Sequence, residues 1–224
     1  MASGSDEGLG FGSEDIDASS ISALPTEVEL LKRAWRNEKA SPEILQFQED
    51  VVTNARLQIE HMEETVEAYE EDGKDALTVS LYQMDLDRTE FLLRSYLRTR
   101  LQKIEKYMIH ISKTELWNRL SKAEQNFATS CKENMENHLK QSVLSRLPYG
   151  YQDFCKQSIS SEEDDMVPQP QLDTFVFCKS KKTVGSFQLD EGGDEVVDLI
   201  ADDLYVLRYK SIKPLVETGQ IDLV

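Results

Sequence analysis

The chain has only three cysteines in 224 residues, Cys131, Cys155 and Cys178, with no Cys-x-x-Cys pair among them. An odd number at wide spacing excludes a disulfide framework and a cysteine-built zinc site, and it points to a reducing compartment. Each is expected to be a small apolar side chain, buried or half-buried. Long apolar runs are missing too. No stretch of 18 apolar residues occurs, so no membrane-spanning helix and no membrane partner are expected. The start of the chain is acidic and rich in Gly and Ser, without the basic and apolar regions of a signal peptide.

Motifs that carry chemistry are equally scarce. Neither a Gly-x-x-x-x-Gly-Lys-Ser/Thr loop nor a Gly-x-Gly-x-x-Gly turn is present to cradle a nucleotide phosphate. His61, His110 and His138 lie on different segments, away from any Ser or Cys nucleophile motif. The acidic cluster Glu60-His61-Met62-Glu63-Glu64 lacks the Glu-x-x-His pairs of a di-iron bundle and reads as a solvated helix face. No catalytic residue, cofactor or metal is expected. Basic charge is the remaining shortage: 25 Lys and Arg stand against 42 Asp and Glu, a formal net charge of −17. Such a chain repels phosphate unless it has a segregated basic patch, so any work on DNA is expected to pass through partners.

What is present is helix-forming sequence, then strand-forming sequence. Residues 1–24 hold five acids and no basic residue, and are expected to be a disordered acidic tail. Leu9, Phe11 and Ile16 in it leave two readings open, a docking peptide or a solubilising tail. Thr26 and Glu29 spell a capping box opening a first helix with Val28, Leu31 and Trp35 inward. Ser41-Pro42 predicts the start of a second helix, which runs to Glu71 and stops at Asp72-Gly73. Its predicted core stripe is Leu45, Val52, Ala55, Ile59, Met62 and Val66.

A third helix, from about Asp75 to Ile111, contains the only basic block. Arg88, Arg94, Arg98, Arg100, Lys103 and Lys106 stand there against Asp87, Glu90 and Glu105. Leu93, Leu97, Leu101, Ile104, Met108 and Ile111 recur at steps of three and four, the spacing of one apolar helix face. Its acidic predecessor suits an antiparallel hairpin, and Glu90 four residues before Arg94 is the favourable order. Ser121 caps a fourth helix that carries Phe127, Cys131, Met135, Leu139 and Val143, ended by Pro148 and Gly150.

After the run SSEEDDMVPQPQ the period becomes two. Strands are expected at Thr174–Cys178, Val184–Leu189, Glu195–Ile200 and Leu204–Tyr209, with turns at Gly192-Gly193 and Asp202-Asp203. A short helix at Ser211–Thr218, capped by Gly219, and a strand at Ile221–Val224 close the chain. The fold class is α+β: an N-terminal, mainly α-helical domain of long antiparallel helices, then a small C-terminal β-rich domain. The expected boundaries are 1–24 for the tail, 25–157 for the helical domain, 158–170 for the acidic linker and 171–224 for the β domain. A β module this small is marginal alone and should pack on something.

Tyr and Arg are favoured at interface hot spots, so Tyr96, Arg98, Arg100, Lys103 and Tyr107 are expected to contact a neighbouring subunit. Ile221, Leu223 and Val224, apolar at the end of an acidic chain, are expected to be tied down and to support assembly.

Four blocks also resemble a known family. SYLRTRLQKIEKY at 95–107 resembles the YLRxRLxKIEK helix of the Sld-five subunit of the GINS complex. WRNEKASPEIL at 35–45, QIEHMEE at 58–64 and RYKSIKPLVETGQIDLV at 208–224 are similar to further blocks of that family, in the same order. The resemblance implies a non-enzymatic subunit of a nuclear heterotetramer, with three other GINS subunits as direct partners. Through that complex, it implies contact with the Mcm hexamer and the Cdc-forty-five protein in the replicative helicase. Two other readings stay open from the residues themselves. A generic helical scaffold or adaptor of another nuclear complex would share everything except the four blocks. A direct binder of single-stranded DNA would need an exposed basic face with aromatic platforms.

Overall fold

A computed structural model describes residues 25–161, 163–189 and 196–224. The acidic tail and the Gly192-Gly193 turn lie outside the described residues. Among those described, helices come first and strands last, the expected α+β order. α1 (Glu27–Ala40) opens on the predicted capping box, with Thr26 Oγ1 accepting from Glu29 N–H and the Glu29 carboxylate accepting from Thr26 N–H. α2 (Glu49–Glu71) and α3 (Ala76–Lys113) form the long hairpin, turned at Gly73 with its φ of 63°. α4 (Lys122–Ser142) opens on a second capping box, Ser121 with Glu124. A 3₁₀ turn at Glu115–Arg119 joins α3 to α4.

The second helix starts later than Ser41-Pro42 predicts. Ser41 is the C-cap of α1, and residues 41–48 form an irregular strap before α2 begins at Glu49. The reason is competition for carbonyls. Those of Glu43, Ile44 and Leu45 accept from the side chains of Lys103, Arg119 and Arg100, and are not free for helix bonds. From the other side, Phe47 N–H donates to Arg119 O at 2.9 Å.

The inward face of α3 keeps Leu93, Ile104, Met108 and Ile111 of the stripe that the leucine spacing picks, with Leu97 packed at its edge, but not Leu101. Leu86, Thr89, Leu93, Tyr96, Arg100, Ile104, Met108 and Ile111 are buried, while Leu101 is exposed. Periodicity extended the stripe to Leu101 and passed over Arg100, because it could not count an arginine as a core residue. Tyr107 departs from helical backbone (φ −115°, ψ 15°) and breaks the regularity of α3 near its end. The distal half of α4 is more exposed than its apolar spacing suggests, with Met135 and Val143 on the surface.

The C-terminal part contains β1 (Phe175–Ser180), β2 (Gly185–Gln188), β3 (Val196–Leu199), β4 (Leu204–Arg208), α5 (Tyr209–Glu217) and β5 (Ile221–Leu223). β1 is the centre of a three-stranded antiparallel sheet, in the order β4-β1-β5, and β2 pairs with β3. Val176, Cys178, Leu207, Ile221 and Leu223 point to α5 and meet Tyr209, Ile212, Leu215 and Val216 in one buried cluster. Gly219, with φ of 71°, supplies the left-handed residue that turns α5 into β5.

Candidate functional site

Arg100 is the organising residue of the helical part. It stands on α3 at a position where the spacing calls for an apolar side chain, and none of its surface is exposed. A guanidinium has five N–H donors, and all five are used. Nε donates to Glu124 Oε1 at 2.7 Å, and Nη2 to Glu124 Oε2 at 3.1 Å and Arg119 O at 3.2 Å. Nη1 donates to Glu38 Oε2 at 2.9 Å and Leu45 O at 2.8 Å. The rings of Phe47 and Tyr96 lie 5.2 and 5.8 Å from its Cζ. Burial by itself would lower the Arg100 pKa, but the bonds to Glu124 and the charge of Glu38 outweigh it and raise it. Tyr96, with its ring desolvated, has its phenol pushed up to about 12.

Lys103, one turn on, works the end of α1. Its ammonium shares three N–H donors among four acceptors: Glu38 O, Glu38 Oε1 at 2.8 Å, Ser41 Oγ at 2.8 Å and Glu43 O at 2.9 Å. Burial is the largest influence on this amine and its pKa is lowered, even with the Glu38 carboxylate beside it. A lysine at a helix C-terminus satisfies carbonyls that have no partner inside the helix.

Glu43 carries the strap to the C-terminal part. Its carboxylate accepts from Tyr209 Oη at 3.1 Å, Lys213 Nζ at 2.9 Å and Arg119 Nη1 at 3.3 Å. Arg119 also reaches Glu217 of α5. Four carboxylates (Glu38, Glu43, Glu124, Glu217) thus face four cations (Arg100, Lys103, Arg119, Lys213), and the network is neutral as a whole. A second seam joins α1 to β5: Asn37 Nδ2 donates to Asp222 Oδ1, Leu223 N–H donates to Asn37 Oδ1 at 2.7 Å, and Arg33 pairs with Asp222 at 3.2 Å. A cleft of ≈ 570 Å³ runs along this seam between α1, the strap and the end of α5.

This arrangement relocates several residues expected at a subunit interface. Tyr96 and Arg100 are core residues of the chain itself, and Lys103 is largely enclosed, so none of the three presents its polar head to a neighbour. The charged fork reads as surface from sequence but finds two buried carboxylates instead. Ile221 and Leu223 are tied down as expected, each in the chain's own core at 1% exposure. Val224 is not: its N–H donates to Phe177 O, but its side chain is 54% exposed. Arg98 is exposed and Tyr107 half-buried.

Two apolar surfaces lie open, and of their apolar residues the sequence reading named only Val224 as a candidate for assembly. One is the outer face of α3, where Leu77, Leu81, Met84 and Phe91 are 55–66% exposed. With Arg88 and Arg98 they recur every three, four or seven residues, a stripe about 30 Å long at 1.5 Å per residue. The other is the outer face of the β4-β1-β5 sheet. There Val206 stands opposite Phe177. Val224 hydrogen-bonds to Phe177 from the other side, and Phe175 and Leu204 lie beside this row. All five are more than half exposed. The alternation in Phe175–Cys178 signals a two-faced strand; that both faces are apolar was the available clue. Among the described residues no group of three or more His, Cys, Asp or Glu side chains is placed to hold a metal ion.

The residues of the hub come from the blocks at 35–45, 95–107 and 208–224, with Arg119 and Glu124 added between them. The sequence of the chain also matches known proteins. The family described as the GINS complex protein helical bundle domain matches residues 45–143, and the DNA replication complex GINS protein SLD5 C-terminus matches residues 170–224. The chain is 53% identical to the DNA replication complex GINS protein SLD5 of Arabidopsis thaliana over 226 aligned residues, covering 100% of both chains. Against the human protein of that name identity is 34%, covering 97% of this chain and 99% of the other. Against that of Dictyostelium discoideum it is 30%, covering 87% and 90%. Matched along its length in this way, the chain belongs to the SLD5 family of DNA replication complex GINS proteins.

Proposed function

We propose that this chain is a non-catalytic subunit of a heterotetrameric GINS complex, acting in the nucleus in DNA replication. Its partners are three other GINS subunits. Through the assembled complex it joins the Mcm hexamer and the Cdc-forty-five protein in the replicative helicase, and it meets DNA at most indirectly. The observation that carries the reading is the pair of open apolar faces on a chain that turns Arg100 and Lys103 of its basic block inward. Contiguous exposed apolar surface of this kind marks interaction sites. In this reading the α3 stripe and Arg98 meet one neighbour, with Tyr107 at the edge, while the outer sheet face with Val224 meets another. The buried hub contributes no contact; it fixes the angle between the two faces, so both can be engaged at once.

The experiment is co-expression with candidate partner subunits, followed by affinity capture and native mass spectrometry. A 1:1:1:1 complex is expected, and adding the Mcm hexamer and the Cdc-forty-five protein should give a larger assembly. Capture of the chain alone, or with a different set of nuclear proteins, contradicts the proposal.

A further inference from the structure

The described residues of 150–174 have no regular secondary structure, yet they are fastened to the helical part. Cys155 and Val167 pack with Met108 and Ile109 of α3, and Met166 N–H donates to Cys155 O at 3.0 Å. Lys113 at the end of α3 pairs with Asp164. At the apex of this segment three serines gather. Ser158 Oγ lies 2.9 Å from Ser160 Oγ and 3.2 Å from Ser161 Oγ. Ser161 Oγ donates to Asp165 Oδ2 at 3.0 Å, and the other oxygen of that carboxylate accepts from Gln157 N–H at 2.8 Å. Neither the hub nor either apolar face uses any of these groups.

We propose that Ser160 and Ser161 are phosphoacceptor sites for an acid-directed protein kinase, with ATP as phosphate donor. In the transfer, the serine oxygen forms a bond to the γ-phosphorus, and the bond from that phosphorus to the β,γ-bridging oxygen breaks. ADP leaves, and the hydroxyl proton passes to the kinase's base. The substrate-binding cleft of such a kinase is basic and reads carboxylates just C-terminal to the acceptor. Glu163 stands three residues after Ser160, Asp164 three after Ser161, and Asp165 follows. No Lys or Arg occurs between Lys156 and Lys179 to spoil that charge pattern. Ser160 is exposed, while Ser161 is half-buried and its hydroxyl is engaged, so Ser160 reacts first. Ser158 has Ser161 at its third following position, and gains an acidic determinant at that position only when Ser161 carries phosphate.

The modification has a local structural consequence. Phosphoserine carries about −1.5 to −2 charge at neutral pH, and its ester oxygen has no proton to donate. On Ser161 it replaces a hydrogen bond to Asp165 with repulsion, which loosens the turn and the Lys113–Asp164 tether. The hub at Arg100 is untouched.

The test treats the full chain, alone and in its assembled form, with ATP and an acid-directed kinase, and maps phosphate by peptide mass spectrometry. Phosphate is expected on Ser160 first, then on Ser161, and on Ser158 last. Glu163→Gln should slow modification of Ser160 about tenfold, and Ser161→Ala should abolish that of Ser158. Hydrogen exchange at 157–167 should rise about fivefold on phosphorylation, with no change around Arg100. Phosphate confined to serines outside 158–161, or incorporation at Ser160 indifferent to Glu163→Gln, overturns the proposal.

Discussion

The inner and outer faces of α3 hold similar residues in opposite surroundings. Arg100, on the inner face, has every donor matched and no exposed surface. Arg98, two residues away, stands on the outer face in line with Phe91 and is exposed. One arginine holds the chain's own parts together; the other borders a surface that has no partner within the chain. The difference teaches that a basic, tyrosine-containing helix cannot be assigned as a whole to core or to interface. A buried ion pair adds little net stability when complete, but removing one partner costs heavily because the other charge stays buried. An exposed arginine carries no such penalty.

The largest effect expected is therefore at Arg100. Arg100→Met strands Glu124, leaves Glu38 with Lys103 alone, and should cost about 3–5 kcal/mol in urea denaturation of the full chain. Arg98→Glu should leave the denaturation midpoint unchanged while weakening capture by partner subunits. Equal stability losses in the two variants would erase the distinction between the faces.

The same contrast sharpens at the C-terminus. Leu223 is in the core of the sheet, and Leu223→Ala should cost about 2–5 kcal/mol. Removing Val224, exposed beside Phe177, should barely move the denaturation midpoint and should act on assembly. Next in size is the contact between the strap and α5. Tyr209→Phe removes a hydrogen bond to the buried Glu43 carboxylate, worth about 1.5–3 kcal/mol for a bond to a charged group. It should raise proteolytic nicking between the two parts without unfolding α3.

The smallest effect is a dependence on pH. Tyr96 is protonated in both folded and unfolded chains below its ordinary value of 10.0, and burial pushes the folded value up to about 12. Above pH 10 the unfolded phenol ionises first, so this contribution is intact below that pH and is lost as pH rises towards 12. Thermal midpoints of the wild type should fall faster between pH 9.5 and about 11 than those of Tyr96→Phe. Parallel pH profiles would mean that Tyr96 is solvated.

Helix order, the first capping box, the Ser121 N-cap, the Gly73 and Gly219 turns and the strands of the C-terminal part were legible because local chemistry decides them. Thr26 with Glu29, and Ser121 as an N-cap, need no tertiary information; that Glu124 closes a second box appears in the structure. The start of α2 was not legible, because the carbonyls of the strap are claimed by Arg100, Lys103 and Arg119 from 55 to 75 residues away. For the same reason the site was misread: a charged residue on a helix is classed as surface until its carboxylate partners are located. Glu38 and Glu43 sit in WRNEKASPEIL, and Tyr209 and Lys213 in RYKSIKP, so the needed residues were in view but their convergence was not. The open sheet face was half legible, since Phe175 and Phe177 alternate with Val176 and Cys178.

The measurement that bears most directly on the central claim is hydrogen–deuterium exchange of the chain before and after assembly with its partner subunits. Protection should appear along α3 from Leu77 to Arg98 and across Phe175–Phe177, Leu204–Val206 and Val224, while the amides around Arg100 and the strap, already protected, stay as they were. Unchanged exchange on both apolar faces, or new protection confined to the Arg100 hub, would contradict it.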